Sequence, residues 1–216
     1  SGLRGLLGEA SAWRVMGLVF ERPRGAWHDE LRALAAESPD PALAGLARQA
    51  VAEGTEARYL AVLGPGGAVS PREASYRRLG DPGQLLAHLR IVYEAFAYSP
   101  RTEEPPDHIC VEAGFAGYLR LKEAFARSSG EHAAAAVVRD GAAMFLTEHL
   151  AHLAVGLADR VGFLEESYLS AAAQHIVSLL GPIPEPVVTA VRAAGPQLDE
   201  LGSCGDGCTF EEGFQA

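Results

Sequence analysis

Apolar residues recur along most of this chain at intervals of three and four, in segments rich in Ala, Leu, Glu and Arg. Those residues are strong helix formers, and that spacing is the helical one. The first segment predicts a helix from about residue 6 to 21, with Trp13, Met16, Leu18 and Phe20 at apolar positions. Pro23 ends it. Helices are then predicted over about 26–37 and 42–63, the latter hinged at Gly54-Thr55. Ser38-Pro39-Asp40-Pro41 breaks the pattern between them and caps the second of the two. Residues 64–76 hold too much Gly and Pro for regular structure and predict an irregular loop. Asp81 as N-cap and Pro82 at the first helical position open a helix over about 82–97. A polar, acidic loop, 98–106, precedes a long helix over about 108–127, with Asp107 as its expected N-cap. Beyond Gly130 the pattern runs on to Val161 with room for one break, and shorter helices are expected over about 165–180 and 186–194. Alternating runs of the kind that make strands do not occur. The expectation is an all-α protein. One helical-bundle-like domain covers 1–201, and a Gly- and Cys-containing tail, 202–216, packs weakly and is mobile.

Composition narrows the class. The chain has 216 residues, 48% hydrophobic and 21% charged, enough to bury a core without staples. Its 18 Lys+Arg against 28 Asp+Glu leave a formal net charge of −10. Nucleic-acid binding needs basic patches, so this balance argues against it and favours a cationic partner. Three cysteines are too few, and odd in number, for a disulfide framework, which points to a reducing cytoplasm. No apolar run is read as reaching the roughly 20 residues of a membrane span. The stretch 13–20 is short, charged at its edges by Arg14, Glu21, Arg22 and Arg24, and lacks a cleavage site.

Several stretches invite chemistry. Gly64-Pro65-Gly66-Gly67 suggests a phosphate loop but lacks the Lys and Ser/Thr that would complete one, so it reads as an interhelical turn. Cys204 and Cys208 supply half a zinc site without a second pair. Cys110, just inside a helix start, reads as a small packed residue. Glu148, His149 and His152 put two imidazoles at i, i+3, not the i, i+4 of a helical metal pair, and read as a helix end. No catalytic elbow or nucleophile–base order is present, so an enzyme is not expected, nor a resident cofactor.

Glu103-Glu104-Pro105-Pro106-Asp107-His108-Ile109 is more specific. Two prolines stiffen an extended approach to a helix start, where the dipole disfavours protonation of His108. Glu103, Glu104, Asp107 and Glu112 oppose that and together suggest a socket for guanidinium groups. An ordinary capped helix after an acidic loop explains the same residues.

From Glu104 to Ile109, followed by Glu112 and Phe115, the chain resembles the TorD/DmsD/NarJ chaperones. Trp13 to Phe20 with Pro23 resembles their opening helix, and Gly64-Pro65-Gly66 through Ser70-Pro71-Arg72-Glu73-Ala74-Ser75-Tyr76 their loop before the central helix. Phe145 with His149-Leu150 is similar to their late helical motif. Ala113, Ala116 and Leu153 depart from the bulkier or aromatic residues usual there, and the Cys204–Cys208 tail has no counterpart. The resemblance implies a cytoplasmic chaperone that binds the twin-arginine leader, and in some members the body, of an apo-molybdoenzyme while its cofactor is inserted and export is delayed. It implies Glu104 and Asp107 as guanidinium partners, His108 and Glu112 as neighbours, and Tyr76 and Phe115 as parts of the wall. A metal-binding protein or metal-dependent enzyme built on Cys204, Cys208 and the histidines is the alternative. The client, the oligomeric state (a homodimer included), helix exchange and nucleotide binding stay open.

Overall fold

Five of the ten described helices begin where a side-chain acceptor takes one or two of the first free backbone N–H groups. In the computed structural model, which describes residues 2–77, 81–162 and 167–194, Asp40 accepts from Ala42 and Leu43 ahead of Pro41. Thr55, Asp81 and Ser167 likewise cap the helices after them. The elements run α1 Leu3–Val19, α2 Trp27–Glu37, α3 Pro41–Glu53, α4 Glu56–Leu63, α5 Pro82–Ala95, α6 Ile109–Ser128, α7 His132–Phe145, α8 Ala151–Val161, α9 Tyr168–Leu180 and α10 Glu185–Ala194. The described residues contain no strand beyond one isolated bridge between Arg72 and His108. The all-α expectation holds.

Helix α1 starts at Leu3, three residues before the apolar pattern suggests. It lies antiparallel along α6, and glycines let the two backbones meet: a Cβ on Gly17 would stand 3.2 Å from the Cys110 carbonyl, and one on Gly117 3.2 Å from that of Ala10. Around this pair the other helices close a core containing Trp13, Phe20, Phe115, Leu119, Phe145 and Tyr168. Phe115 is its centre, with ring centroids of Tyr93 and Phe145 both 4.7 Å away and Tyr98 at 5.1 Å.

Two expectations are corrected by local geometry. The loop 64–76 is not irregular throughout, because Glu73–Tyr76 forms a 3₁₀ turn. Between α7 and α8 the chain does not break; Leu146–Leu150 is a π-helical turn, so His132–Val161 is one continuous 30-residue rod. Its most apolar 18-residue window has a mean hydropathy of 1.2, so by length and composition alone the rod passes for a membrane span. Of its most apolar window, 56% is buried inside the fold, which is how a core helix behaves. The proposed tail, with Cys204 and Cys208, lies outside the described residues.

Candidate functional site

The start of α6 is strapped to the segment before the 3₁₀ turn. Ile109 donates its N–H to the Pro71 carbonyl at 2.9 Å, and Glu73 donates to the Asp107 carbonyl at 2.9 Å. The Asp107 side chain completes the strap. Its Oδ1 accepts from Arg72 through Nε at 3.0 Å and Nη2 at 2.9 Å, and Oδ2 accepts from the Ala74 N–H at 3.3 Å. Asp107 is fully buried. A buried carboxylate needs such a partner set, since an unpaired one costs several kcal/mol.

His108, not Asp107, is the N-cap of α6. Its Nδ1 accepts the Cys110 N–H at 3.2 Å, which leaves the ring proton on Nε2, facing the Tyr59 hydroxyl at 3.2 Å. Burial, with the Arg72 charge beside it, drives the His108 pKa down to about 3, so the ring is neutral. The Glu104 carboxylate stands 3.9 Å from Nε2 and remains 29% exposed, unlike Asp107.

Two depressions flank this knot. The larger, about 730 Å³, is bounded by Tyr59, Tyr76, Arg72, Glu104 and His108, with Leu60, Leu63 and Val69 supplying apolar wall and Arg160 a further cation. The Gly64-Pro65-Gly66-Gly67 turn forms part of its rim. The smaller, about 490 Å³, lies between α1, the start of α2 and residues 100–104, and carries Glu21, Glu30, Glu103 and Glu104 against Arg22, Arg24 and Arg101. Burial pushes the Glu21 carboxyl above its ordinary pKa. Arg22 and Glu104 border both depressions, so the two read as one bent groove.

A second polar cluster lies beneath the larger depression. Glu73, fully buried, accepts from His149 Nδ1 at 3.1 and 3.2 Å and from the Arg77 guanidinium. Burial alone would raise the Glu73 pKa, but His149 and Arg77 outweigh it and hold the carboxyl below its usual range. Arg77 also donates to the Glu148 carbonyl within the π turn, where the shifted hydrogen-bond register needs such a partner. His149 is therefore not at a helix end, and its ring stacks on His88 of α5 with centroids 5.2 Å apart.

A family model described as nitrate reductase delta subunit matches residues 25–158, well over half of the chain. The chain belongs to that family. The family comprises chaperones for the maturation of redox enzymes, molybdoenzymes among them, and they work on an enzyme subunit rather than as catalysts. This agrees with the TorD/DmsD/NarJ resemblance. No curated protein matches the chain.

Within the family's motif, the six residues singled out from sequence occupy three different environments. Glu104 reaches the groove. Tyr76 and His108 line the groove while buried, and the Tyr76 hydroxyl donates to the Ser70 carbonyl at 2.6 Å. Asp107, Glu112 and Phe115 are wholly enclosed and border neither depression. Sequence reasoning passed over Arg72, Tyr59, Glu73 and Arg77. Arg72 and Glu73 stood inside a quoted stretch, Ser70 to Tyr76, but nothing local ties them to residues 35 and 76 positions away. Among the described residues no group of three His, Cys, Asp or Glu is arranged to hold a metal ion.

Proposed function

We propose that this chain binds the twin-arginine leader of an apo-molybdoenzyme in the bent groove, in the cytoplasm, and holds it back from export while the cofactor is inserted. The observation that carries the reading is the position of Glu104, a part-exposed carboxylate where an acidic depression joins a larger one with apolar walls. A twin-arginine leader presents two guanidinium groups and then an apolar run, and the groove offers counterparts in that order. Glu104, with Glu103 and Glu21 close by, receives the arginines; Leu60, Leu63, Val69 and Tyr76 receive the apolar run. Asp107 acts differently. Its charge is already matched by Arg72, so it shapes the groove by seating residues 70–76 and takes no guanidinium directly.

The test is a photo-crosslinking leader peptide with the reactive group next to its arginine pair, mapped by mass spectrometry. Adducts on residues 21–30 or 100–104 are expected, and Glu104→Gln should weaken binding by about tenfold, a charge-assisted hydrogen bond at a part-exposed site. Adducts confined to the far side of the bundle, with Glu104→Gln binding as the parent does, would remove the groove from the account.

A further inference from the structure

The larger depression carries donors that no described residue uses. Arg22 pairs with Glu56 through Nε at 2.7 Å, and neither of its Nη groups meets a described acceptor. Arg72 bonds to Asp107 through Nε and Nη2, which leaves Nη1 without an acceptor among the described residues, on a side chain that stays 39% exposed. Tyr59 completes the set. His108 Nε2 bears the ring proton, so the Tyr59 oxygen accepts from it. The Tyr59 hydroxyl proton then has no acceptor of its own among the described residues, although the residue is only 3% exposed. A buried donor left unmatched is costly, and all three side chains border one depression. With Arg160 its lining holds three guanidinium groups against one carboxylate, Glu104, in a chain of net charge −10. Leu60, Leu63 and Val69 form the adjoining wall. Such a site suits carboxylates flanked by apolar side chains.

The chain itself holds a segment of that chemistry. Residues 195–216, outside those described, contain the acids Asp199, Glu200, Asp206, Glu211 and Glu212 and no Lys, Arg or His. Within them Phe210-Glu211-Glu212-Gly213-Phe214 sets two carboxylates between two aromatic rings. The position of Ala194 also fits. Helix α10, which ends there, packs on α8, and α8 brings Gly156 against Tyr76 and Arg160 to the depression. The 11 residues of α8 span only about 16 Å. Phe210 follows Ala194 by 16 residues, a reach of up to about 50 Å, so distance sets no bar. The smaller depression suits the segment less, because its lining opposes four carboxylates to three arginines.

We propose that segment 210–214 docks in the larger depression of its own chain, with Glu211 and Glu212 on Arg22, Arg72 and the Tyr59 hydroxyl and the two rings against the apolar wall. Seated there, it covers the wall assigned above to the apolar run of a leader. That consequence rests on the proposed function, whereas the docking itself does not. A leader then binds by displacing the segment, and its apparent affinity falls with the fraction of chains in which the segment is seated.

The test uses the full chain with p-benzoylphenylalanine in place of Phe210, irradiated and mapped by mass spectrometry. Adducts within single chains at residues 59–76 are expected, in a yield that Glu211→Gln with Glu212→Gln lowers about threefold or more and that falls as salt rises. Adducts elsewhere on the molecule or only between two chains, no adducts, or a yield indifferent to those variants would overturn the docking. A second arm titrates a twin-arginine leader into the parent and into Phe210→Ser with Phe214→Ser. The variant should bind more tightly, by about tenfold if the segment is seated nine-tenths of the time. Equal affinities overturn the competition while leaving the leader reading intact. Adducts as expected without binding of any leader uphold the docking and count against the proposed function.

Discussion

Replacing Asp107 by Asn keeps the shape of the side chain and one acceptor for the Ala74 N–H, but removes the charge that Arg72 is bonded to. A charge-assisted bond of this kind contributes about 1.5–3 kcal/mol, so urea denaturation should report a loss of that size. A variant as stable as the parent would mean that the strap between residues 70–76 and α6 is held by its backbone bonds alone. His108 gives a second prediction with a defined sign. Its pKa falls from 6.5 to about 3 on folding, so the unfolded chain binds the proton more readily, and stability declines as pH drops below about 6.5 toward 3. His108→Asn, which retains a capping acceptor, should flatten that part of the acid-melting profile; an unchanged profile would assign the acid sensitivity elsewhere. At this scale the sequence was half legible. That polar residues gather at the α6 start is visible in Glu104-Pro105-Pro106-Asp107-His108. Which of two adjacent residues caps the helix is not, because Asp107 is drawn off by Arg72, 35 residues away, and leaves the cap to His108.

Among the elements, the helices declared themselves through apolar spacing and caps such as Asp40-Pro41 and Asp81-Pro82. The 3₁₀ turn and the π turn did not. Both depend on partners remote in sequence: Glu73 reaches His149, and Arg77 reaches the Glu148 carbonyl, a bond that supports the shifted register. The rod His132–Val161 was legible as one long helical stretch with room for a break, and the structure puts the π turn inside it without breaking it. Where α8 passes under the 3₁₀ turn, Gly156 makes room for the Tyr76 ring; a Cβ there would overlap the Tyr76 Cδ1. Gly156→Ala must therefore push the ring outward, into the larger depression. A loss of about 1–3 kcal/mol is expected, read as a lowered melting temperature with helical circular dichroism retained. No change in melting would mean that Tyr76 is not seated against α8.

At the scale of the molecule, the chain is an acidic helical protein, with net charge −10, whose groove joins carboxylates to apolar wall at Glu104. Binding of a twin-arginine leader should accordingly be partly electrostatic and weaken as salt rises from about 50 to 500 mM, over which the Debye length shrinks from roughly 14 to 4 Å. The most direct measurement is a calorimetric titration of the full chain with two synthetic leaders that differ only in the pair, Arg-Arg against Lys-Lys, at low and high salt. The forked guanidinium contacts of arginine cannot be made by lysine. The Arg-Arg leader should bind at least tenfold more tightly at low salt, with the gap narrowing at high salt. Equal affinity for both leaders, or no binding of either at any salt concentration, would contradict the assignment of this groove to a twin-arginine leader.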